Sequence, residues 1–444
     1  MKFLKVLFNL FIISILLFIF SVKRIERMPV ESTGHYKKWK EEIEKFKPVF
    51  DSSGLEVGYA KTNITPTKPT PLAGYGSRLG KPFTGVHDSV FVRAISVKSN
   101  NKSRFFVSAD LLIIPPNVTE KLEVLLQMAG ISLSDVHLAA THTHNSMGSW
   151  GNSLTGMAFA GMYDSNMEVI LSNKIFETIK NSTRNQEPAT PFYGEIRDTI
   201  DVRNRLLISD GWTDPELRQL GFETQSGKKI KLLTYGAHST VLNSKTLLVS
   251  RDYPGVLIDS IEKNDDFGVF MAGAVASQGP FEVGKDDFDE VLNQGNGVYS
   301  FAKKIPNNRL IPKILSESLY LPLPEASARV SKNLGLRPWL FKILFGDYPS
   351  QVKITMLGNT LMIGLPCDFS GEIMAELDKY ATQKGINLLV TSFNGSYAGY
   401  VTHDRLYDLD LYETTTMSWY GFQNGKYFKE IIKDIIDKTE KRQG

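Results

Sequence analysis

The stretch Leu138-Ala139-Ala140-Thr141-His142-Thr143-His144-Asn145-Ser146 constrains this chain more than any other. An apolar run, Val136 to Ala140, ends in Thr-His-Thr-His and then in small polar residues. That pattern reads as a buried strand running into a loop. Residues i and i+2 of a strand share a face, so His142 and His144 are expected to aim into one pocket at the strand's end. A neutral imidazole is the commonest metal ligand and a frequent acid or base. The pair suggests a metal site with an open position for water or substrate. Two hydrogen-bonded histidines beside a turn remain the plainer alternative, because the pattern is short.

Composition narrows the donors. The single cysteine, Cys367, excludes an internal disulfide framework and a Cys-rich zinc ribbon, so a metal here must use His, carboxylate or Tyr. A formal net charge of +3, with no basic stripe in the folded part, offers no footprint for nucleic acid. The length of 444 residues suits one large domain or two ordinary ones. We find no internal repeat and no low-complexity linker within residues 51–444.

The start of the chain reads differently. Lys2 and Lys5 precede an apolar run from Val6 to Val22, and Lys23, Arg24 and Arg27 follow. No small-residue cleavage site is visible, so residues 1–27 are expected to be an uncleaved signal anchor or transmembrane segment. That expectation ties the protein to a membrane and puts the folded domain on the extracytoplasmic side. Residues 28–50 are rich in Lys and Glu, with Trp39, Ile43 and Phe46 on one helical face, and read as a charged stalk helix leaning on the domain at 51–444.

Within that domain, Val90–Val97 and Phe105–Ala109 read as strands joined by a polar turn. Asn117 and Glu120 have the character of a helix start. With the Val136–Ala140 strand, residues 105–140 form a β-α-β unit, whose ligands gather at the carboxyl ends of its strands. Asp110, His142 and His144 fall there. Ile230–Tyr235 repeats the first pattern, running into Gly236-Ala237-His238-Ser239-Thr240. Phe267–Met271 ends in Ala272 to Pro280, which includes Ser277. Val352–Leu357 and Leu361–Leu365 pair across Gly358-Asn359. The region 334–345 is crowded with apolar side chains around Pro338, as a packed subdomain or as a lid over a lipid pocket. The fold class is α/β, with mixed sheets flanked by helices in one large domain.

Taken in order, these pieces resemble the catalytic domain of neutral/alkaline non-lysosomal ceramidases, from about Gly58 to Gly421. The resemblance rests on seven motifs in sequence. They are Ala73-Gly74-Tyr75-Gly76-Ser77-Arg78, Thr141-His142-Thr143-His144-Asn145-Ser146, Asn204-Arg205 and Ala237-His238-Ser239-Thr240. They continue with Val249-Ser250-Arg251-Asp252, Pro366-Cys367-Asp368-Phe369, and Tyr397-Ala398-Gly399-Tyr400-Val401-Thr402 through Tyr412-Glu413.

The resemblance implies hydrolysis of the amide of N-acyl sphingosine at a single Zn2+, with a lipid or acyl-amide substrate as partner. It implies zinc ligands at His142, His238, Asp368 and Tyr400, with His144 facing the substrate and Arg205 binding the amide carbonyl. Two departures stand out. The family's glutamate is Asp368 here, one methylene shorter, and the family's serine position is Gly279, leaving Ser277 as the nearest hydroxyl. The resemblance covers the catalytic domain and no immunoglobulin-like domain after it. Two other functions fit the same residues: a zinc hydrolase of another acyl amide or ester, and a non-catalytic binding homologue.

Overall fold

The computed structural model describes residues 2–207 and 209–440. A helix, Lys2–Ser21, opens the chain and runs into a short strand, Val22–Arg24, that pairs with Leu334–Leu336. Arg27 then forms an ion pair with Asp408. This overturns the N-terminal expectation. Among the described residues no helix is long and apolar enough to cross a membrane. Counting from Val6, past the two lysines, the helix leaves sixteen residues, about 24 Å at 1.5 Å each. A hydrocarbon core measures about 30 Å. The anchor, the membrane association and the extracytoplasmic placement that rested on it are therefore withdrawn.

The helix Gly34–Lys45 is capped by Thr33, whose hydroxyl accepts from the Tyr36 amide. Trp39 and Ile43 are buried in the same core as the C-terminal helix Asn424–Glu440. The Trp39 indole donates to Asp434 at 2.9 Å, and Lys40 pairs with the same carboxylate.

The larger sheet contains β1 (Glu56–Asn63), β2 (Phe91–Ser99), β3 (Lys102–Ala109), β4 (Val136–Ala140), β5 (Glu187–Arg197), β6 (Glu216–Thr224), β7 (Lys229–Tyr235) and β8 (Phe267–Ala272). Its order is β8-β7-β6-β5-β1-β2-β3-β4, with Asn308–Arg309 added beside β5. The β3–β4 and β7–β8 pairs are parallel and the others antiparallel. The smaller sheet contains β9 (Ile314–Tyr320), β10 (Gln351–Leu357) and β11 (Thr360–Gly364), then β13 (Asn387–Thr391), with the short β12 (Asp368–Phe369) lying between them in sequence. β12 pairs with β14 (Tyr400–Val401). These are mixed sheets flanked by helices, the α/β class expected.

Side-chain alternation explains the layering. In β4, Val136, Leu138 and Ala140 face the helices Pro116–Met128 and Ser165–Ser182. His137 and Ala139 face the other sheet, where Ala139 shares a core with Met362 and Leu389. On the far side of the smaller sheet, Ile354 and Ile363 pack against the Met374–Gln383 and Asn424–Glu440 helices. The larger sheet curls until its end strands β4 and β8 meet, and the Ser108 hydroxyl donates to the Phe270 carbonyl across the seam. That curl brings the carboxyl ends of β4, β7 and β8 to one place, and the smaller sheet delivers β12 and β14 beside them.

Candidate metal centre and cleft

Strand β4 stops at Ala140, and His142 takes φ +64°, a left-handed conformation that costs a non-glycine residue energy and often marks a functional site. The turn swings its ring flat against Phe393, with centroids 4.2 Å apart, and brings Nδ1 to 2.5 Å from the Leu112 carbonyl. His238 follows β7, and its Nδ1 lies 3.3 Å from the Val275 carbonyl. The two loops are tied together by the Ser239 hydroxyl, which donates to the Thr141 carbonyl at 2.7 Å. His144 is held from below. Tyr75 packs on its ring, and Arg78 donates to its carbonyl and to Asn145 Oδ1. Gly74 allows the approach: a Cβ there would meet the His144 ring at 2.6 Å.

The three Nε2 atoms converge: 2.8 Å for His142–His238, 3.2 Å for His238–His144 and 3.4 Å for His144–His142. All three rings are buried. Burial pushes the His142 pKa down to about 3 and holds His144 and His238 well below the usual imidazole range. These are therefore neutral rings at pH 7. Their protons have assignable places for two of the three. Nδ1–H of His142 and of His238 faces a main-chain carbonyl, so each Nε2 presents a lone pair. Lone pairs 2.8 Å apart repel unless a cation lies between them.

The acidic side comes from β12 and β14, where Asp368 and Tyr400 are direct neighbours in parallel register. Asp368 Oδ1 stands 3.4 Å from His142 Nε2 and is buried without a hydrogen-bond partner. Oδ2 accepts from the Tyr397 hydroxyl at 2.8 Å. Burial raises the Asp368 pKa to about 7 and raises Tyr400 well above the ordinary phenol value. Arg205 Nη2 reaches the Tyr400 hydroxyl at 3.4 Å and Glu413 at 3.2 Å, while Nε donates to the Ala276 carbonyl. Burial opposes its charge, but Tyr400 and Glu413 outweigh that and its pKa rises.

Six of the eight site candidates singled out in the sequence thus meet around one point: His142, His144, His238, Asp368, Tyr400 and Arg205. Ser277 lies alongside, but its hydroxyl accepts from Ser370 at 2.8 Å. Asp110 is turned away, accepting from the Phe91 amide. Sequence reasoning gave no role to Tyr397, Glu413 or Phe393. Tyr397 and Glu413 sit inside motifs already quoted, whereas nothing in the sequence marks Phe393 as the floor under His142.

The donor set fits a metal. Ligand atoms about 2.1 Å from a tetrahedral zinc stand about 3.4 Å apart, the spacing observed between His142 Nε2 and Asp368 Oδ1, while His142 and His238 at 2.8 Å stand closer together. Three buried neutral imidazoles and an orphaned carboxylate oxygen are groups that a cation would satisfy. The cluster forms the floor of a cleft of about 120 Å³ walled by Trp150, Phe159, Phe345, Tyr412 and Trp419.

Residues 55–281 match the family described as neutral/alkaline non-lysosomal ceramidase, N-terminal. No match was found among curated proteins. Among solved structures, the fold is similar to neutral ceramidase from Pseudomonas aeruginosa, with a TM-score of 0.75 and 18% identity over 88% of this chain and 75% of that one. It is equally similar to a ceramidase complexed with C2, with a TM-score of 0.76 and 18% identity over 88% and 76% of the two chains. By class, then, the protein is a hydrolase acting on linear amide C–N bonds. The chain belongs to the neutral/alkaline non-lysosomal ceramidase family.

Proposed function

We propose that this protein is a zinc-dependent hydrolase that cleaves N-acyl sphingosine-type lipids to a fatty acid and a sphingoid base. The observation that carries the reading is the convergence of three neutral imidazoles on one another, with the unpartnered oxygen of Asp368 3.4 Å from the Nε2 of His142. His142, His238, Asp368 and Tyr400 would hold the ion. Metal-bound histidines ordinarily donate their other N–H to a carbonyl or carboxylate. His142 and His238 have such a partner, while His144 Nδ1 has none. His144 is therefore the imidazole left free to carry a proton.

A bound zinc supplies Lewis acidity and a water acidified from pKa 15.7 to about 7. Arg205, held charged by Glu413, donates to the amide carbonyl oxygen and stabilises its developing negative charge. His144, neutral at rest, would first take up the proton released by the attacking water and then pass it to the leaving amine. The aromatic walls exclude water, which strengthens each of these interactions. The likeness to a ceramidase complexed with C2 supports a lipid amide as the substrate class.

The second reading, a hydrolase of another acyl amide or ester, is favoured by one feature. Gly279 offers no hydroxyl, and that of Ser277 is turned to Ser370. Metal analysis followed by a panel of N-acyl sphingosines, simple acyl amides and esters decides between them. Stoichiometric zinc with release of sphingoid base supports the first reading. Zinc with turnover only of the simple amides or esters supports the second, and absence of bound metal overturns both.

A further inference from the structure

The motif Val249-Ser250-Arg251-Asp252 lines no part of the cleft, yet with Tyr253 it lies between the two loops that carry His144 and His238. It brackets each histidine. The Thr143 hydroxyl donates to the Ser250 carbonyl at 2.7 Å, and the Ser250 amide donates to the Asn145 carbonyl at 2.9 Å. The residues before and after His144 are thus both fixed to Ser250. The Tyr253 hydroxyl donates to the Ala237 carbonyl at 2.5 Å, and Asp252 Oδ2 accepts from the Leu242 amide at 2.9 Å. These two bonds hold the His238 loop just before the histidine and shortly after it. All of these residues are buried.

The backbone is bent to make this possible. Asp252 takes φ +56°, the left-handed conformation that His142 also takes and that costs a non-glycine residue energy. There it opens the helix Asp252–Ile261, and its Oδ1 accepts from the Tyr253 amide at 2.7 Å. Both carboxylate oxygens therefore accept from main-chain amides. An asparagine in this place would set its own NH2 group against one of those N–H donors. The segment is itself anchored. Ser250 Oγ donates to Asp88 Oδ2 at 2.6 Å, Arg251 Nε donates to Asp88 Oδ1 at 2.9 Å, and Arg251 Nη2 pairs with Asp259 at 2.7 Å. The Tyr253 ring meets Phe270 of β8 edge-on, with centroids 5.8 Å apart.

We infer that Asp252 and Tyr253 are positioning residues for the metal centre: they fix the His238 loop against the His144 loop and hold the two Nε2 atoms at their 3.2 Å separation. The inference rests on the metal-hydrolase reading and adds to it two residues that shape the donor set without touching ion or substrate. Groups that orient metal ligands in this way ordinarily change metal affinity by about tenfold to a hundredfold when lost.

The test uses Co2+, which takes the ligands that bind zinc and gives visible absorption bands that follow ligand geometry. The full chain, Asp252→Asn and Tyr253→Phe are freed of metal and titrated with Co2+. His137→Leu, destabilised away from the centre, is titrated beside them. Asp252→Asn is expected to bind Co2+ about tenfold more weakly or worse, with altered bands. Tyr253→Phe, which loses one hydrogen bond and keeps its ring, is expected to bind about threefold more weakly, with a smaller alteration. His137→Leu keeps the bands of the full chain. Two results overturn the inference. One is Asp252→Asn with the affinity and bands of the full chain. The other is His137→Leu with bands altered as far as those of Asp252→Asn, because the effect then follows stability alone. Should Asp252→Asn not fold, Tyr253→Phe decides, and bands that superimpose on those of the full chain overturn the inference. If the full chain itself takes up no Co2+, the metal reading fails, and the imidazole 15N resonances of His144 and His238 in the metal-free proteins decide the positioning role separately. Resonances displaced in Asp252→Asn and Tyr253→Phe support it, and coincident ones overturn it.

Discussion

Two histidine environments lie five residues apart along the chain, one on β4 and one just past its end, and they differ in a single respect. His137 and His142 are both buried, and burial pushes each pKa down to about 3. His137 points between the sheets, where its ring nitrogens meet the hydroxyls of Thr355 at 3.1 Å and Thr391 at 2.8 Å. Hydroxyls donate or accept as needed, so that ring is satisfied by protein alone. The Nε2 lone pair of His142 meets the lone pair of His238 and the carboxylate oxygen of Asp368, neither of which donates to it. Burial and a displaced pKa therefore do not mark the site. What marks it is an arrangement of acceptors facing acceptors.

The largest expected effect breaks the metal side of this comparison. His238→Ala removes a lone pair from the convergence, and we expect loss of bound zinc together with at least a thousandfold loss of activity. Elemental analysis and turnover on the same sample check both, and retained zinc would show the ligand assignment to be wrong. His144→Gln should separate the two properties. Zinc stays at one equivalent while kcat falls about a hundredfold or more, the usual contribution of a positioned proton donor.

His137→Leu addresses the protein-satisfied ring. It leaves two threonine hydroxyls without their partner and should cost about 1–3 kcal/mol of stability in denaturant unfolding, with zinc content unchanged. Its pH signature has a definite sign. The folded pKa of about 3 lies below the unfolded value of about 6.5. The unfolded chain therefore gains a proton as pH falls below 6.5, and stability drops from there toward pH 3. His137→Leu removes that proton, reducing the slope between about pH 6 and 4 by about 1.4 kcal/mol per unit. Identical slopes in the two proteins would place the ring's titration elsewhere. Asp368→Glu should be the mildest, with zinc retained and kcat/KM within about tenfold, because Glu and Asp are both competent ligands. Complete loss of metal would show that β12 has adapted to the shorter side chain.

Local pattern made much of this visible beforehand. The hairpin across Gly358-Asn359 appears as β10 and β11, and the β-α-β unit as β3, Pro116–Met128 and β4. His142 and His238 were legible because each follows an apolar strand and precedes small polar residues. Boundaries were less so. The helix begins at Pro116, and Asn117 is drawn inside it to bond the Trp150 carbonyl and Glu168 rather than cap it. His137 was hidden in an apolar run, because its partners lie 218 and 254 residues away. The apolar N-terminal run looked like an anchor because hydropathy counts residues and does not see that Val22–Arg24 is paired to the domain.

The parallel pairing of Asp368 with Tyr400 has a consequence for how this half of the centre can vary. Main-chain hydrogen bonds, not flexible side chains, set the distance between carboxylate and phenol. A one-residue slip between the two short strands would not nudge these groups apart; it would turn one of them to the opposite face. The geometry available to this pair therefore comes in discrete steps, and an inserted or deleted residue in the Pro366–Tyr400 segment must be absorbed in the loop before β14 or abolish that half of the centre outright.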